Sequence, residues 1–129
     1  MNKKRGADAE RELLHLLSKK FAVARVAGSG TIKETSCDLL AGKEGKGYAI
    51  EVKISKGNKK YIKKEQVNGL IDFANKFGLK PLIAIKFLRK GWYFIEPEKL
   101  TKTEKALYVS LHDIKKKGKS FEEFIEKRF

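Results

Sequence analysis

The sequence predicts a single α/β domain, and three observations carry that expectation. Its 129 residues, 41% apolar and 36% charged, suit one domain with a hydrophobic core and not a disordered chain. Apolar residues recur at helical spacing over 7–20 and 66–77, while the runs at 48–54, 82–87 and 91–95 are rich in β-branched and aromatic residues. No internal repeat, low-complexity tract or linker divides the chain, so residues 1–129 are expected to form one domain. A formal net charge of +14, from 30 Lys plus Arg against 16 Asp plus Glu, exceeds what solubility requires. It points to a polyanionic partner, nucleic acid ahead of an anionic membrane surface. No apolar run approaches the ~20 residues of a membrane span, and Met1-Asn2-Lys3-Lys4-Arg5 leads into a charged helix instead of a signal-peptide core. An intracellular protein is expected. The single cysteine, Cys37, excludes an internal disulfide framework and a zinc-finger cluster.

The first helix is expected over Ala7–Lys20, with Leu13, Leu14 and Leu17 as its apolar stripe. Glu10 shares that stripe, because 10, 13, 14 and 17 are spaced i, i+3, i+4, i+7. It should point toward the sheet, whereas Asp8, Arg11, Glu12 and Lys19 should face solvent. Such an acid is either a first-turn residue favoured by the helix dipole or part of a site. His15 lacks a second ligand at suitable spacing and is read as a rim residue. Phe21–Val26 reads as a short strand with Arg25 near its end. The loop 27–36 is rich in glycine and hydroxyl groups, Ser29 among them. It can lie against a sugar-phosphate backbone, since glycines permit close approach and hydroxyls donate to phosphate oxygens; a plain flexible connection is the alternative.

Residues 36–55, SCDLLAGKEGKGYAIEVKIS, are expected to form a β-hairpin, with Asp38–Ala41 and Tyr48–Ile54 as strands and glycine punctuation around the turn. A turn symmetric about Glu44 and Gly45 sets Gly42 against Gly47, Leu40 against Ala49 and Asp38 against Glu51. Opposed side chains share a face with Cβ atoms about 5 Å apart, and Lys53, two residues past Glu51, joins them. Leu39, Ala41, Tyr48, Ile50, Val52 and Ile54 take the other face as core. Opposed carboxylates destabilise a sheet unless a cation neutralises them, and a hard divalent cation with oxygen ligands suits the pair. With Glu10 facing the same space, a metal site becomes the better account; a solvated ion pair of Glu51 with Lys53 is the bland alternative. Cys37, in an apolar strand entry, is read as a packed thiol.

After the hairpin, Lys56, Lys59, Lys60 and Lys63 lie in the densest basic run, placed to hold phosphates beside the acids. A helix over Gln66–Phe77 carries Val67, Leu70, Ile71, Ala74 and Phe77 as a core stripe and stops at Gly78. Leu82–Phe87 has the pattern of a central strand, and Gly91–Ile95 pairs with it. The Trp92, Tyr93, Phe94 cluster can stack on bases; the preferred reading puts one strand face in the core and the other under a partner subunit. His112 has no evident partner. Ser120 and Glu123 match a capping box for a terminal helix whose face of Phe121, Phe124, Ile125 and Phe129 serves packing or dimerisation.

A helix with Glu10, then Asp38, then Glu51-x-Lys53, followed by a basic segment and an amphipathic helix, resembles the PD-(D/E)xK nuclease fold. The order GADAERELLHLL, FAVARVAGSG, CDLLAGK, YAIEVK, LIDFANKFG and LIAIKF…GWYFI, over roughly the first 95 residues, resembles more narrowly the archaeal Holliday junction resolvase family. The resemblance implies a central mixed β-sheet flanked by helices, as in restriction endonucleases. It implies that Glu10, Asp38 and Glu51 bind a magnesium centre, manganese substituting, and that Lys53 is the catalytic lysine. Arg25 and Ser29 match the arginine and loop serine associated with substrate contact and catalysis. The expected function is paired, symmetric hydrolysis of four-way DNA junctions by a homodimer, with no small-molecule cofactor and no membrane. Two rivals stand beside it: a nuclease of the same fold acting on linear duplex, and a non-catalytic nucleic-acid-binding module whose acids pair with the surplus lysines. Cys37 stands where the pattern commonly has proline, and nothing is carried over beyond Glu96.

Overall fold

The turn at Glu44 and Gly45 sets the register from which the sheet grows. Both residues have positive φ, 50° and 84°, as the two-residue connections that match strand twist require. They join β2 (Leu39–Lys43) to β3 (Lys46–Ser55), with Gly42 opposite Gly47 and Leu40 opposite Ala49 as the symmetric turn demands. Lys43 pairs with Lys46, so the ladder runs one rung closer to the turn than the glycine spacing suggested.

This computed structural model describes residues 3–26 and 36–129. Before the hairpin come α1 (Lys3–Leu17) and β1 (Ala22–Arg25). After it come β4 (Lys59–Ile62), α2 (Lys64–Phe77), β5 (Lys80–Phe87), β6 (Gly91–Ile95), β7 (Thr101–Lys102), β8 (Leu107–Ser110), α3 (Leu111–Lys117), β9 (Lys119–Ser120) and α4 (Phe121–Lys127). The main sheet has the order β1-β2-β3-β5-β6-β9. Only its β3–β5 pair is parallel, Ile50 beside Leu82 and Val52 beside Ala84, so the sheet is mixed and α2 lies on the crossover that a parallel pair needs. The strands β4-β8-β7 form a second, small sheet. The basic run therefore holds a strand the sequence did not predict: Lys59–Ile62 pairs with Leu107–Ser110.

Each face of the main sheet has its own core. On one, Leu13 and Leu17 of α1 and Phe124 of α4 meet Leu39, Ile50, Val52, Leu82 and Phe94. On the other, Val67, Leu70 and Ala74 of α2 and Ile114 of α3 meet Ala49, Ile83, Ile85 and Ile95. Each fully buried Leu, Ile or Phe contributes about 1.5–3 kcal/mol. Gly78 caps α2 in the left-handed region at φ 83°, its N–H donating to the Ala74 and Asn75 carbonyls.

Two side chains depart from the expected pattern. Glu12 does not face solvent alone: it accepts from Trp92 Nε1 at 2.8 Å and from Lys86 Nζ, tying α1 to β5 and β6. Phe77, the last residue of α2, is 60% exposed although it lies only about 20° around the helix from buried Leu70. One face of the aromatic strand is core, as expected. Trp92 and Phe94 are buried by the chain itself, Phe94 stacking on Phe124 at 4.4 Å, while Tyr93 packs edge-on against Phe87. The cover is α4, whose capping box forms as expected: Ser120 N–H donates to Glu123 Oε1 and Glu123 N–H to Ser120 Oγ.

Gly118, between α3 and β9, passes so close to β6 that a Cβ would lie 2.1 Å from the Phe94 carbonyl oxygen. Gly118→Ala is expected to lower stability by about 1–3 kcal/mol through forced displacement of β9 and α4; denaturant unfolding measures it, and an unchanged midpoint would contradict this packing.

Candidate active site

Asp38 sits one residue before β2, and its backbone continues the ladder: its N–H donates to the Ile50 carbonyl and its carbonyl accepts from Val26 N–H, both at 2.9 Å. Its side chain continues the sheet in another way. Oδ2 accepts from the Val52 N–H at 2.8 Å, so a β3 amide past the end of β2 is satisfied by the carboxylate. Glu51 and Lys53, alternate residues of β3, project to the face opposite Ile50 and Val52. They stand 3.6 Å apart with side chains only 16% and 13% exposed. Lys53 Nζ also donates to Gln66 Oε1 on α2 at 2.8 Å. From the other side α1 brings Glu10, whose Oε1 accepts from Arg25 Nε of β1 at 2.7 Å.

The acids feel one another. Burial pushes the Asp38 carboxyl up to about 6; the Val52 N–H opposes this, the charge of Glu10 adds to it, and Lys53 and Arg25 offset part of it. Burial, then the charge of Asp38, pushes Glu51 up to about 7, with Lys53 opposing and Glu10 adding. Among the described residues, however, no group of three His, Cys, Asp or Glu side chains is arranged to hold a metal ion as it stands. Glu10 is turned to Arg25 and Glu51 to Lys53. The Cys37 thiol is buried and raised to about 12, chiefly by that burial, as suits a packed thiol.

The basic run lies beside this centre. Lys56 and Lys63 are exposed, and Lys59 stands over the Tyr108 ring. Lys60 is half-buried; burial lowers its pKa and the neighbouring charge of Lys53 adds to that. Ser29 lies outside the described residues. Sequence reasoning missed Gln66, a polar residue in the first turn of a helix whose contact with Lys53 depends on how α2 crosses the sheet, and it missed the Val52 amide, which carries no side-chain signal.

The family model for archaeal Holliday junction resolvases, Hjc, matches residues 1–129. The chain belongs to the archaeal Holliday junction resolvase family. The resolvase match includes residues 97–129, beyond the stretch that carried the resemblance in the sequence. The crossover junction endodeoxyribonuclease Hjc of Archaeoglobus fulgidus is 39% identical over 108 residues, covering 83% of this chain and 79% of its own. That of Sulfolobus acidocaldarius is 37% identical over 127 residues, covering 96% and 88%. The solved structure of Archaeoglobus fulgidus Hjc, a Holliday junction resolvase, superposes with a TM-score of 0.86 at 34% identity over 93% of this chain and 99% of that one. The resolvase fold is thus the mixed sheet with flanking helices described above.

Because Asp38 and Glu51 titrate higher in the folded protein than their ordinary values of 3.8 and 4.5, the folded state keeps protons that the unfolded chain has lost. Metal-free stability should fall as pH rises from about 4 to about 7, and the full penalty is present above that. Glu51→Gln is expected to raise stability at pH 8 in EDTA by about 1–3 kcal/mol and to change it little at pH 4. Thermal melts at the two pH values decide this; a destabilised variant at pH 8 would refute it.

Proposed function

We propose that this chain is a magnesium-dependent endodeoxyribonuclease that resolves four-way DNA junctions by paired, symmetric phosphodiester hydrolysis, with manganese able to replace magnesium. The observation that carries the reading is the meeting of half-buried Asp38 and Glu51 with Lys53 on one sheet face, in a family of junction resolvases and in a chain of net charge +14. The donor set fits a hard divalent cation: it offers only carboxylate oxygens, and Lys53 and Arg25 offset only part of the burial and repulsion that raise them. Asp38 and Glu51 would hold the ion, and Glu10 would complete or flank the site once released from Arg25. When bound, the ion lowers the pKa of the attacking water and offsets charge developing on the phosphate.

The chain's own residues supply the rest. The Val52 amide fixes the rotamer of Asp38, so only one of its oxygens is committed within the sheet. Lys53, steadied by Glu51 and Gln66, can donate to a phosphate oxygen as negative charge grows there. Arg25, which stands against Glu10, and the loop serine Ser29 would contact the substrate backbone. Lys56, Lys59, Lys60 and Lys63 hold flanking phosphates, an attraction set by position and shape with no base-edge readout. Among the described residues no helix is long and apolar enough to cross a membrane, and the protein is assigned to the interior of the cell with its DNA.

Two opposed cuts need two centres, and each chain offers one. A two-fold homodimer follows, with the same patch on both subunits. The patch that suits it is the apolar hollow of about 270 Å³ where exposed Phe77 overhangs Ala22, Ala24, Leu40 and Leu79.

Asp38→Asn and Glu51→Gln are expected to slow cutting by roughly 10²–10³-fold while junction affinity in EDTA stays within a few-fold of wild type. Assays on junction, nicked and linear DNA with and without Mg²⁺ check this. Equal cutting of linear duplex, or undiminished cutting by either variant, would overturn the reading. Phe77→Glu is expected to give monomers by light scattering and single nicks in place of paired cuts; a dimeric variant would exclude that patch.

A further inference from the structure

The chain covers nearly all its large aromatics, yet Tyr61 of β4 stands 58% exposed. Its register partner on β8 is Tyr108, with ring centroids 5.3 Å apart and planes tilted by 40°. Lys59, on the same face of β4, places Nζ 4.7 Å from the Tyr108 centroid and 5.8 Å from that of Tyr61. The same lysine lines a cavity of about 320 Å³ with Arg5, Lys56, Lys60 and Ser55, and no carboxylate is among its described lining residues.

The segment joining β3 to β4 that carries these cations is held in shape. Ser55 Oγ lies at donor distance from the carbonyls of Lys59 and Gly57, 3.0 and 3.1 Å away. The Asn58 carbonyl accepts from Leu111 N–H at 2.7 Å, and Asn58 Oδ1 accepts from Lys90 Nζ at 2.6 Å. Binding an anion there requires little ordering of the protein. The segment also adjoins the active centre, since Lys60, next to Tyr61 in the strand, lies within range of the charge on Lys53.

A basic cavity next to an open aromatic ring offers complementary surfaces to the two parts of one nucleotide, its phosphate and its base. Inside a continuous duplex both faces of every base are covered by neighbours. A face is free only where stacking is interrupted, and aromatic side chains bind such faces without regard to sequence. We propose that Tyr61 stacks on an unstacked base at the branch of the DNA while the cavity of Arg5, Lys56, Lys59 and Lys60 takes the adjoining phosphate. The subsite thereby reads a break in stacking, which separates a junction from plain duplex. This rests on the junction substrate proposed above.

The test compares a four-way junction with a linear duplex, all ends closed by hairpins, binding the full chain in EDTA. Tyr61→Ala and Tyr61→Leu are expected to weaken junction binding roughly tenfold with little change for duplex, and Tyr61→Phe to bind as wild type. 2-Aminopurine at the branch should be quenched by wild type and Tyr61→Phe but not by Tyr61→Ala. The double variant Lys56→Gln, Lys59→Gln should weaken both DNAs alike and reduce the salt slope by about one to two. A Tyr61→Ala protein with the wild-type junction-to-duplex ratio, or one that turns monomeric because the ring packs on protein, overturns the stacking role; an unchanged salt slope in the double variant overturns the phosphate role. Catalysis fails separately: a wild type that prefers the junction but does not cut it with Mg²⁺ sinks the nuclease reading while the subsite is still decided by these affinities.

Discussion

The bond from the Val52 amide to the Asp38 carboxylate is the constraint on which the centre depends. A strand that outruns its neighbour exposes an amide that must find an acceptor. Here the acceptor is an acid, and the acid is thereby fixed beside Glu51 in a setting that opposes both charges. Edge geometry and electrostatics are one arrangement: moving Asp38 would orphan an amide, and moving Val52 would free the carboxylate.

The rest of the molecule holds that arrangement from both sides. On one face α1 is anchored at Glu12 by Trp92 and Lys86, and this anchor sets where Glu10, two residues earlier, meets Arg25. On the other, α2 is placed by the parallel pairing of β3 with β5, and its first turn delivers Gln66 to Lys53. The crossover demanded by topology is therefore also a support for the chemistry.

Much of this was legible in the residues. The hairpin register could be read because glycines bracket the turn and the apolar alternation fails if the strands slip by one. Glu10 was visible as an acid inside a leucine stripe. Strand β4 was not, because its partner Leu107–Ser110 is distant in sequence and its own lysines obscure the β pattern. The capping box and aromatic face of α4 were plain, but its docking partner, the Trp92 and Phe94 face of β6, was not, so packing and dimerisation both stayed open for that helix. The engagement of Glu10 by Arg25 depends on how α1 lies across β1, which periodicity does not encode.

Phe124 stacks between Phe21 and Phe94, and Tyr48 meets it edge-on. Rings drawn from the beginning, middle and end of the polypeptide thus close one layer together. During translation the earlier rings must wait, uncovered, until α4 emerges from the ribosome, so an apolar face persists on the nascent chain for most of its synthesis. That interval is when the protein is most open to mispairing with a like chain and to capture by a chaperone.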